Sequence, residues 1–352
     1  MLRRRLFRLL MAAIVAFCML AFSGGLFAQG QREAAFERVR EVQERHADRL
    51  MAKAGVVGTA IGEGQGARPI MLVLVEHGAV PGIPWQLEGV PVRPLPTGKI
   101  YALPKGGNPK GPKDKPGGKP TVDPASWWPR AVPIGVSTGH PALTAGTIAC
   151  RVKDGLGNVY ALSNNHIYAN QNQAGIGDAV IQPGVYDGGA SPVDDIGTLF
   201  DYEPIVFSAS AKNIIDAAIA LSTPELLGNA TPSDGYGLPR SATATVSFGA
   251  KVMKYGRTTG QTSGMVKGTN VIVDVQYDAG VARFVDQILI GGGNFSASGD
   301  SGSLVVLRAK GADDRKPVGL LFAGGNRFAI VNPIDAVLMR FDVTIDGEYD
   351  GE

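Results

Sequence analysis

A serine flanked by glycines, near the C-terminal end of the chain, is the first candidate for chemistry. Ser301 lies in the stretch "SGDSGSLV" (298–305), a short turn that leads directly into an apolar run. A serine hydroxyl is a weak nucleophile unless a base takes its proton and hydrogen-bond donors stabilise the oxyanion that forms. A catalytic role for Ser301 therefore requires a base, a group that orients the base, and backbone donors elsewhere in the sequence.

His166 is the best-placed base among the four histidines of the chain. It closes the segment "YALSNNH" (160–166), in which an alternating strand runs into a Ser-Asn-Asn turn, so the imidazole is expected at a strand end. Histidine exchanges protons near neutral pH, and a strand end holds it in place. The other histidines are His46, His77 and His140, and their spacing fits no metal site. We interpret them as surface or core-edge residues.

Asp216 is the candidate partner for that histidine. The segment "NIIDAAIAL" (213–221) places this carboxylate inside an otherwise apolar strand. Since an isolated buried charge is costly, Asp216 is expected to have a partner, and a histidine Nδ1–H is a suitable one because the bond also fixes the tautomer. The alternatives are that Asp216 pairs with an arginine or faces water, or that the carboxylate is Asp194 or Asp195, whose Pro and Gly neighbours favour an exposed turn.

The order His166, Asp216, Ser301, carried by "SNNH", "IDAAIA" and "GDSGS", resembles that of the chymotrypsin/trypsin-like serine proteases. The gaps of 50 and 85 residues between the three positions are also similar to those of that family. The stretch "VMKYGRTTGQTSG" (252–264), together with "GDSGSLV", is similar to the pattern of a disulfide-free group that includes plant NARROW LEAF 1 and bacterial relatives. The resemblance covers roughly residues 130–342.

The resemblance implies a mainly β fold, a trypsin-like double β-barrel of two six-stranded barrels with the active site between them. His166, as the general base, and Asp216, which orients it, would come from the first barrel, and the nucleophile Ser301 from the second. The backbone N–H groups of Gly299 and Ser301 would form the oxyanion hole. The resemblance also implies a substrate pocket that involves Phe295, Ala323, Gly324 and Gly325.

Two departures from the family pattern affect the pocket and the loop before Ser301. Phe295 stands at the pocket base, where a carboxylate would favour Arg or Lys, and it is expected either to fill the pocket or to form the floor of an apolar one. Gly324 and Gly325, in "FAGGN" (322–326), would leave open the wall that pairs with a substrate backbone. No activation cleavage site is evident that would supply a new N-terminus to Asp300, so this carboxylate is expected to have an internal partner.

Composition places the chain among turn-rich globular β proteins. Its 352 residues include 48 glycines and 23 prolines, and 44% of them are hydrophobic. The formal net charge of +2 predicts no strong attraction to nucleic acid or to a membrane surface. Of the two cysteines, Cys18 lies in the N-terminal leader and Cys150 is interpreted as a buried small hydrophobe, so no internal disulfide is expected in the mature protein. No metal or other cofactor is expected.

The first 28 residues have the pattern of a secretory signal peptide. Four arginines precede an apolar run over residues 9–22, and small residues follow up to Ala28. This pattern predicts a secreted or periplasmic protein with no stable membrane insertion after cleavage. The alternative is an uncleaved membrane anchor, for which the apolar run is short.

The rest of the chain divides into three parts by composition. Residues 31–103 are predicted to form a small α+β subdomain, in which a helix over 31–54 lays an apolar stripe on a short sheet. Residues 104–126 form a Pro/Gly/Lys-rich linker with five lysines, for which a solvated tether is favoured over a docking tail. Residues 127–345, rich in short strands and ending in a short helix at "PIDAVLMRF", are predicted to be a trypsin-like protease domain.

Together these patterns predict an exported serine endopeptidase that acts on a protein or peptide substrate through an acyl-enzyme. The alternative is a latent or non-catalytic binding module on the same fold, its cleft closed by Phe295 or by the N-terminal subdomain. Three roles stay open for that subdomain: an inhibitory pro-segment, a substrate-docking domain, or an element of a homo-oligomer. An esterase with the same triad is disfavoured because the chain order Ser…Asp…His is absent.

Overall fold

The computed structural model describes residues 30–78, 80–102, 122–325 and 327–349. The predicted signal peptide (1–28) lies outside the described residues, and so does the predicted linker up to residue 121. Within the described ranges, no helix is both long enough and apolar enough to cross a membrane.

The N-terminal part, residues 30–102, is a long helix on a small sheet. The helix α1 spans residues 30–51, and Val39, Val42 and Leu50 on its buried stripe pack on that sheet. The helix predicted from the spacing of apolar residues is therefore confirmed. The strands of this part are β1 (Val56–Glu63), β2 (Pro69–Val75), β3 (Gln86–Leu87), β4 (Val90–Pro96) and β5 (Ile100–Ala102).

The remaining part, residues 122–349, consists mainly of short strands, as its turn-rich sequence predicts. Its first half contains β6 (Ser137–Thr138), β7 (Gly146–Thr147), β8 (Cys150–Asp154), β9 (Val159–Ser163), the one-turn helix α2 (Asn165–Tyr168), β10 (Ala179–Ile181), β11 (Asp195–Tyr202) and β12 (Ala218–Ser222). Its second half contains β13 (Lys251–Gly256), β14 (Gly260–Gln276), β15 (Val281–Gly291), β16 (Leu304–Leu307), β17 (Pro317–Gly324), β18 (Phe328–Pro333), the predicted C-terminal helix α3 (Ile334–Phe341) and β19 (Val343–Ile345).

These strands form the trypsin-like double barrel. In the first barrel the strand order is β10-β11-β12-β9-β8-β19, so a strand from the end of the chain lies at one end of this order, paired with β8. In the second barrel the order is β13-β16-β17-β18-β15-β14, and a further pairing of β13 with β14 closes the ring. Cys150 is fully buried in the core of the first barrel, where burial raises the pKa of its thiol, as expected for a small hydrophobe.

The N-terminal sheet continues the sheet of the second barrel. β1 pairs antiparallel with β14, so one sheet of eleven strands includes both parts. Apolar side chains of both parts, such as Leu74 of β2 and Phe284 of β15, share one buried cluster. On the helix side, Gln43 of α1 donates to the carbonyl of Asn270 and accepts from its side-chain amide, each at 2.9 Å. The N-terminal part is therefore built onto the barrel that carries Ser301.

Candidate active site

His166 and Asp216 form a fully buried pair on the first barrel. β9 ends at Ser163 and the chain turns directly into α2, which holds His166. The imidazole Nδ1 and Asp216 Oδ2 are 2.5 Å apart, and the backbone N–H of His166 donates to Asp216 Oδ1 at 3.2 Å. A carboxylate acceptor at Nδ1 fixes the tautomer and leaves Nε2 as the acceptor, which is the state that a general base needs.

Side chains, rather than a neighbouring strand, hold the backbone of Asp216. Its N–H donates to Asn332 Oδ1 at 3.1 Å, and its carbonyl accepts from Asn164 Nδ2 at 2.7 Å. The predicted placement of Asp216 inside a strand is therefore wrong, since β12 begins two residues later. Asn332 donates onward to Gln287 Oε1, and the Gln287 amide donates to the carbonyl of Ile214, each at 2.7 Å. This network ties the loop of Asp216 to the second barrel.

Tyr277, in the turn between β14 and β15, supplies Asp216 with a donor from the second barrel. Its hydroxyl donates to Oδ2 at 2.8 Å, the same oxygen that faces the imidazole, and its ring stands edge-on to that of His166 with the centroids 5.9 Å apart. Burial, and then the Asp216 carboxylate, raise the pKa of Tyr277 well above its usual value, so the hydroxyl stays protonated and donating. Nothing in the local sequence singles out this tyrosine.

Ser301 precedes β16 on the second barrel and is also fully buried. Its hydroxyl donates to the carbonyl of Phe322 at 3.2 Å, and its own carbonyl accepts from the backbone N–H of Thr147, on the first barrel, at 2.8 Å. Nε2 of His166 is buried and has no hydrogen-bond partner within the described part of the chain. The three predicted residues therefore lie where the two barrels meet, with the Ser301 hydroxyl turned toward Phe322.

Two glycines with left-handed backbone shape the turn around Ser301. Gly299 has φ +94° and Gly302 has φ +93°. A Cβ on Gly299 would lie 2.5 Å from Thr258 Oγ1, and one on Gly302 would lie 2.1 Å from the carbonyl oxygen of Thr147. Conformation and space thus both require glycine at these positions. The backbone N–H groups of Gly299 and Ser301 donate to no acceptor among the described residues.

Asp300 has an internal partner, as the sequence predicts, and that partner is Lys254 of β13. Lys254 Nζ and Asp300 Oδ2 are 3.1 Å apart, and both side chains are fully buried. Burial lowers the pKa of Lys254, and Asp300 opposes that shift. The carboxylate also accepts from Thr258 N at 2.9 Å, Thr259 N at 3.1 Å, Thr259 Oγ1 at 2.7 Å and Ala297 N at 2.9 Å. An internal lysine thus anchors the loop of Gly299 and Ser301.

Phe295 packs inside the second barrel. It is 2% exposed and belongs to a cluster with Val252, Ile290 and Leu321. A Cβ on Gly264 would lie 2.8 Å from Phe295 Cδ2, so the ring fills the space that this glycine leaves. The aromatic ring therefore occupies the barrel interior next to the loop of Ser301.

The edge of β17 beside Ser301 is occupied, contrary to the expectation that Gly324 and Gly325 leave it open. β5 pairs antiparallel with this edge, with Ala102 opposite Ala323 and Tyr101 opposite Gly324. The other edge of β5 pairs parallel with the end of β14. Gly325, whose Cβ would lie 2.9 Å from the carbonyl oxygen of Lys99, thus makes room for the segment that leads into β5.

The rival candidates do not pair with His166, whose carboxylate partner is Asp216. The Asp194 carboxylate accepts from the backbone N–H of Ala190 at 2.8 Å. Asp195 begins β11, and its Oδ1 is buried without a hydrogen-bond partner among the described residues. His46 pairs with Glu88 and His140 with Asp178, at 2.9 and 3.2 Å. Over the described ranges, no three His, Cys, Asp or Glu side chains are grouped so that they could hold a metal ion.

Comparison with known proteins supports the resemblance noted in the sequence. The family model of the Nal1 C-terminal domain matches residues 238–332. Protein NARROW LEAF 1 of Oryza sativa subsp. japonica is 27% identical over an alignment of 201 residues. The match covers 51% of this chain and 34% of that protein, so this chain spans about a third of the relative.

Two bacterial-type protease structures are among the similar solved structures. A glutamic acid-specific serine protease with a histidine triad in substrate binding is 22% identical, with a TM-score of 0.43, and covers 61% of this chain and 100% of its own. Thermobifida fusca Protease A is 16% identical, with a TM-score of 0.44 and the same coverage. The resemblance of this chain to chymotrypsin-like serine proteases and to the NARROW LEAF 1 group is confirmed.

Proposed function

We propose that this protein is an exported serine endopeptidase, with Ser301 as nucleophile, His166 as general base and Asp216 as the group that orients the base. The observation that carries the proposal is the buried His166–Asp216 pair, whose Nε2 is a free acceptor at the barrel interface that also holds Ser301. The two unpaired N–H groups beside Ser301 support it. Export is proposed from the N-terminal sequence pattern alone.

The reaction follows from these positions. When the Ser301 hydroxyl rotates away from the Phe322 carbonyl, His166 Nε2 accepts its proton as Oγ attacks the peptide carbonyl carbon. The oxyanion accepts from the N–H groups of Gly299 and Ser301, while Asp216 stabilises the imidazolium. The imidazolium then gives its proton to the leaving amine, and a water molecule activated by the same base hydrolyses the acyl-enzyme. Of the predicted pocket residues, Ala323, Gly324 and Gly325 are proposed to receive the substrate backbone once β5 has left the edge of β17, whereas Phe295 stays in the barrel interior.

A fluorophosphonate probe tests this function, because it reacts covalently with an activated serine. We expect the mature chain to be labelled once, and Ser301→Ala to abolish labelling while leaving the unfolding curve in urea unchanged. Ser303→Ala, which removes a neighbouring hydroxyl that only donates to the Asp300 carbonyl, is the matched control and should still be labelled. Labelling that survives in Ser301→Ala would contradict the assignment of the nucleophile.

The second candidate function is a latent or non-catalytic binding module on the same fold. The full burial of Ser301 and His166 favours it, because a peptide carbonyl cannot reach a hydroxyl with no exposed surface. The absence of Ser301-dependent labelling at every pH from about 5 to 9, both in the parent chain and in Tyr101→Pro, would select this second function.

Tyr277→Phe tests whether the tyrosine positions the catalytic pair. Without its hydroxyl, Asp216 Oδ2 loses the donor that it takes from the second barrel, so the carboxylate and the imidazole are held less firmly. A hydrogen bond to a charged group contributes roughly 1.5–3 kcal/mol, so we expect the labelling rate to fall by about 10-fold or more. The labelling rate and the free energy of unfolding in urea should be measured beside Tyr255→Phe, a control that loses a hydroxyl bound to Asp234. Equal losses of labelling rate in the two variants would indicate a packing role alone.

A further inference from the structure

We infer that β5 is a built-in occupant of the peptide-binding edge of β17, and that this strand must leave the edge before a peptide substrate can bind. The second part of this inference, that β5 must leave before a substrate binds, rests on the proposed protease function. The first part, that β5 occupies the edge of β17, can be tested by peptide binding alone.

The first argument is the position of β5 relative to the nucleophile. Ala323 and Gly324, which pair with β5, directly follow Phe322, whose carbonyl accepts the Ser301 hydroxyl. An extended peptide that adds to a free sheet edge gains main-chain hydrogen bonds there, and β5 already takes that place in antiparallel register.

The second argument is the close fit of the approach to β5 against the glycine wall. A Cβ on Gly325 would lie 2.9 Å from the carbonyl oxygen of Lys99 and 3.2 Å from that of Thr97. The segment that leads into β5 therefore passes close to Gly325, and the absence of a side chain at Gly325 permits this approach. A peptide substrate cannot occupy the same space.

The third argument is that β5 can be displaced without loss of the whole N-terminal part. β5 contributes two residues, Ile100 and Ala102, to the buried cluster, whereas β1 and β2 together contribute five apolar residues, and β1 is paired with β14. Removal of the entire N-terminal part would expose this apolar surface to water, at a high cost. Opening therefore involves β5 and its approach, with β1 staying on β14.

A labelled peptide with the sequence of residues 97–102, TGKIYA, tests the occupancy directly in the Ser301→Ala background, where it cannot be cleaved. Tyr101→Pro places a proline, which lacks the N–H donor, in a strand with neighbours on both sides, and should release β5. In the parent, β5 competes with the peptide at an effective concentration on the order of millimolar, because it is tethered to the same chain. We therefore expect the released variant to bind the peptide at least about 10-fold more tightly than the parent does. Tyr101→Val, which keeps the N–H and the strand propensity, is the matched control.

A reversible lock covers the case in which the proline variant fails to fold. Tyr101 and Gln276 are directly paired on β5 and β14, and adjacent strands at roughly 4.8 Å lie within the range that a disulfide spans. In the mature chain with Tyr101→Cys and Gln276→Cys, oxidation should slow fluorophosphonate labelling of Ser301 about 10-fold or more, and reduction should restore it. Cys150 is buried and does not compete.

The outcomes separate this inference from the proposed function. Equal peptide affinity in the parent and in folded Tyr101→Pro would overturn the occupancy of the edge by β5. Where Ser301 is labelled at all, equal labelling rates of the oxidised and reduced lock would overturn it too. Peptide binding confined to the released variant, without labelling in any variant, would uphold the occupancy and refute the protease function.

Discussion

Lys254→Met is expected to destabilise the protein by about 3–5 kcal/mol and to remove most Ser301 labelling. The substitution leaves Asp300 as a fully buried carboxylate without its cation, which is the condition under which breaking a buried ion pair is most costly. Asp300 also organises the loop of Gly299 and Ser301 through its hydrogen bonds to Thr258, Thr259 and Ala297. The loss of charge balance should therefore disturb the N–H groups that face the oxyanion.

The free energy of unfolding in urea and the labelling rate should be measured for a complete double-mutant cycle. Lys254→Met with Asp300→Asn removes both charges, so we expect it to recover a large share of the stability that the single variant loses. Asp300→Asn alone should be costly too, because it leaves the lysine buried and unpaired. Additive effects of the two substitutions would show that the pair is not coupled and would contradict the anchoring role of Lys254.

The features that the sequence could predict are local ones. Strand positions follow from short apolar runs between glycines, and α1 and α3 follow from their apolar spacing. The turn at Ser301 can be predicted because its backbone conformation requires glycine at Gly299 and Gly302, and both glycines can be read directly in the sequence. The expectation of an internal partner for Asp300 was correct because a buried charge must be balanced, whatever the fold.

The features that the sequence could not predict depend on which strands meet. Tyr277 lies 61 residues from Asp216 and reaches it only because the β14–β15 turn folds over the first barrel. The strand predicted around Asp216 begins later because Asn332 and Asn164, on different elements, take its backbone groups. The pairing of β5 with β17 is set by the continuation of the barrel sheet through β1, and "KIYAL" carries no sign of its destination.

Asp216→Asn is expected to lower the labelling and hydrolysis rates by roughly 10⁴-fold with little change in fold, the scale of loss that the wrong histidine tautomer causes in a Ser-His-Asp site. Asp216 Oδ1 accepts the backbone N–H of His166, whereas Oδ2 faces both the imidazole and the Tyr277 hydroxyl. An asparagine would keep its oxygen toward the backbone N–H of His166, since in the opposite orientation its NH₂ group would face that N–H, and both groups are donors. Its NH₂ group would then face Nδ1 and force the proton onto Nε2.

An imidazole with its proton on Nε2 cannot accept the proton of Ser301, although every other part of the site is in place. The rates should be measured in the Tyr101→Pro background, in which the cleft is expected to be open, beside Asp194→Asn as the matched control. Among the described residues, the Asp194 carboxylate accepts only from the backbone N–H of Ala190, so its substitution should leave the rates within about two-fold. If Asp194→Asn lost activity and Asp216→Asn kept it, the orienting carboxylate would have to be reassigned. The fall in rate expected for Asp216→Asn, by contrast, depends on which imidazole nitrogen of His166 carries the proton, and the buried carboxylate of Asp216 determines this.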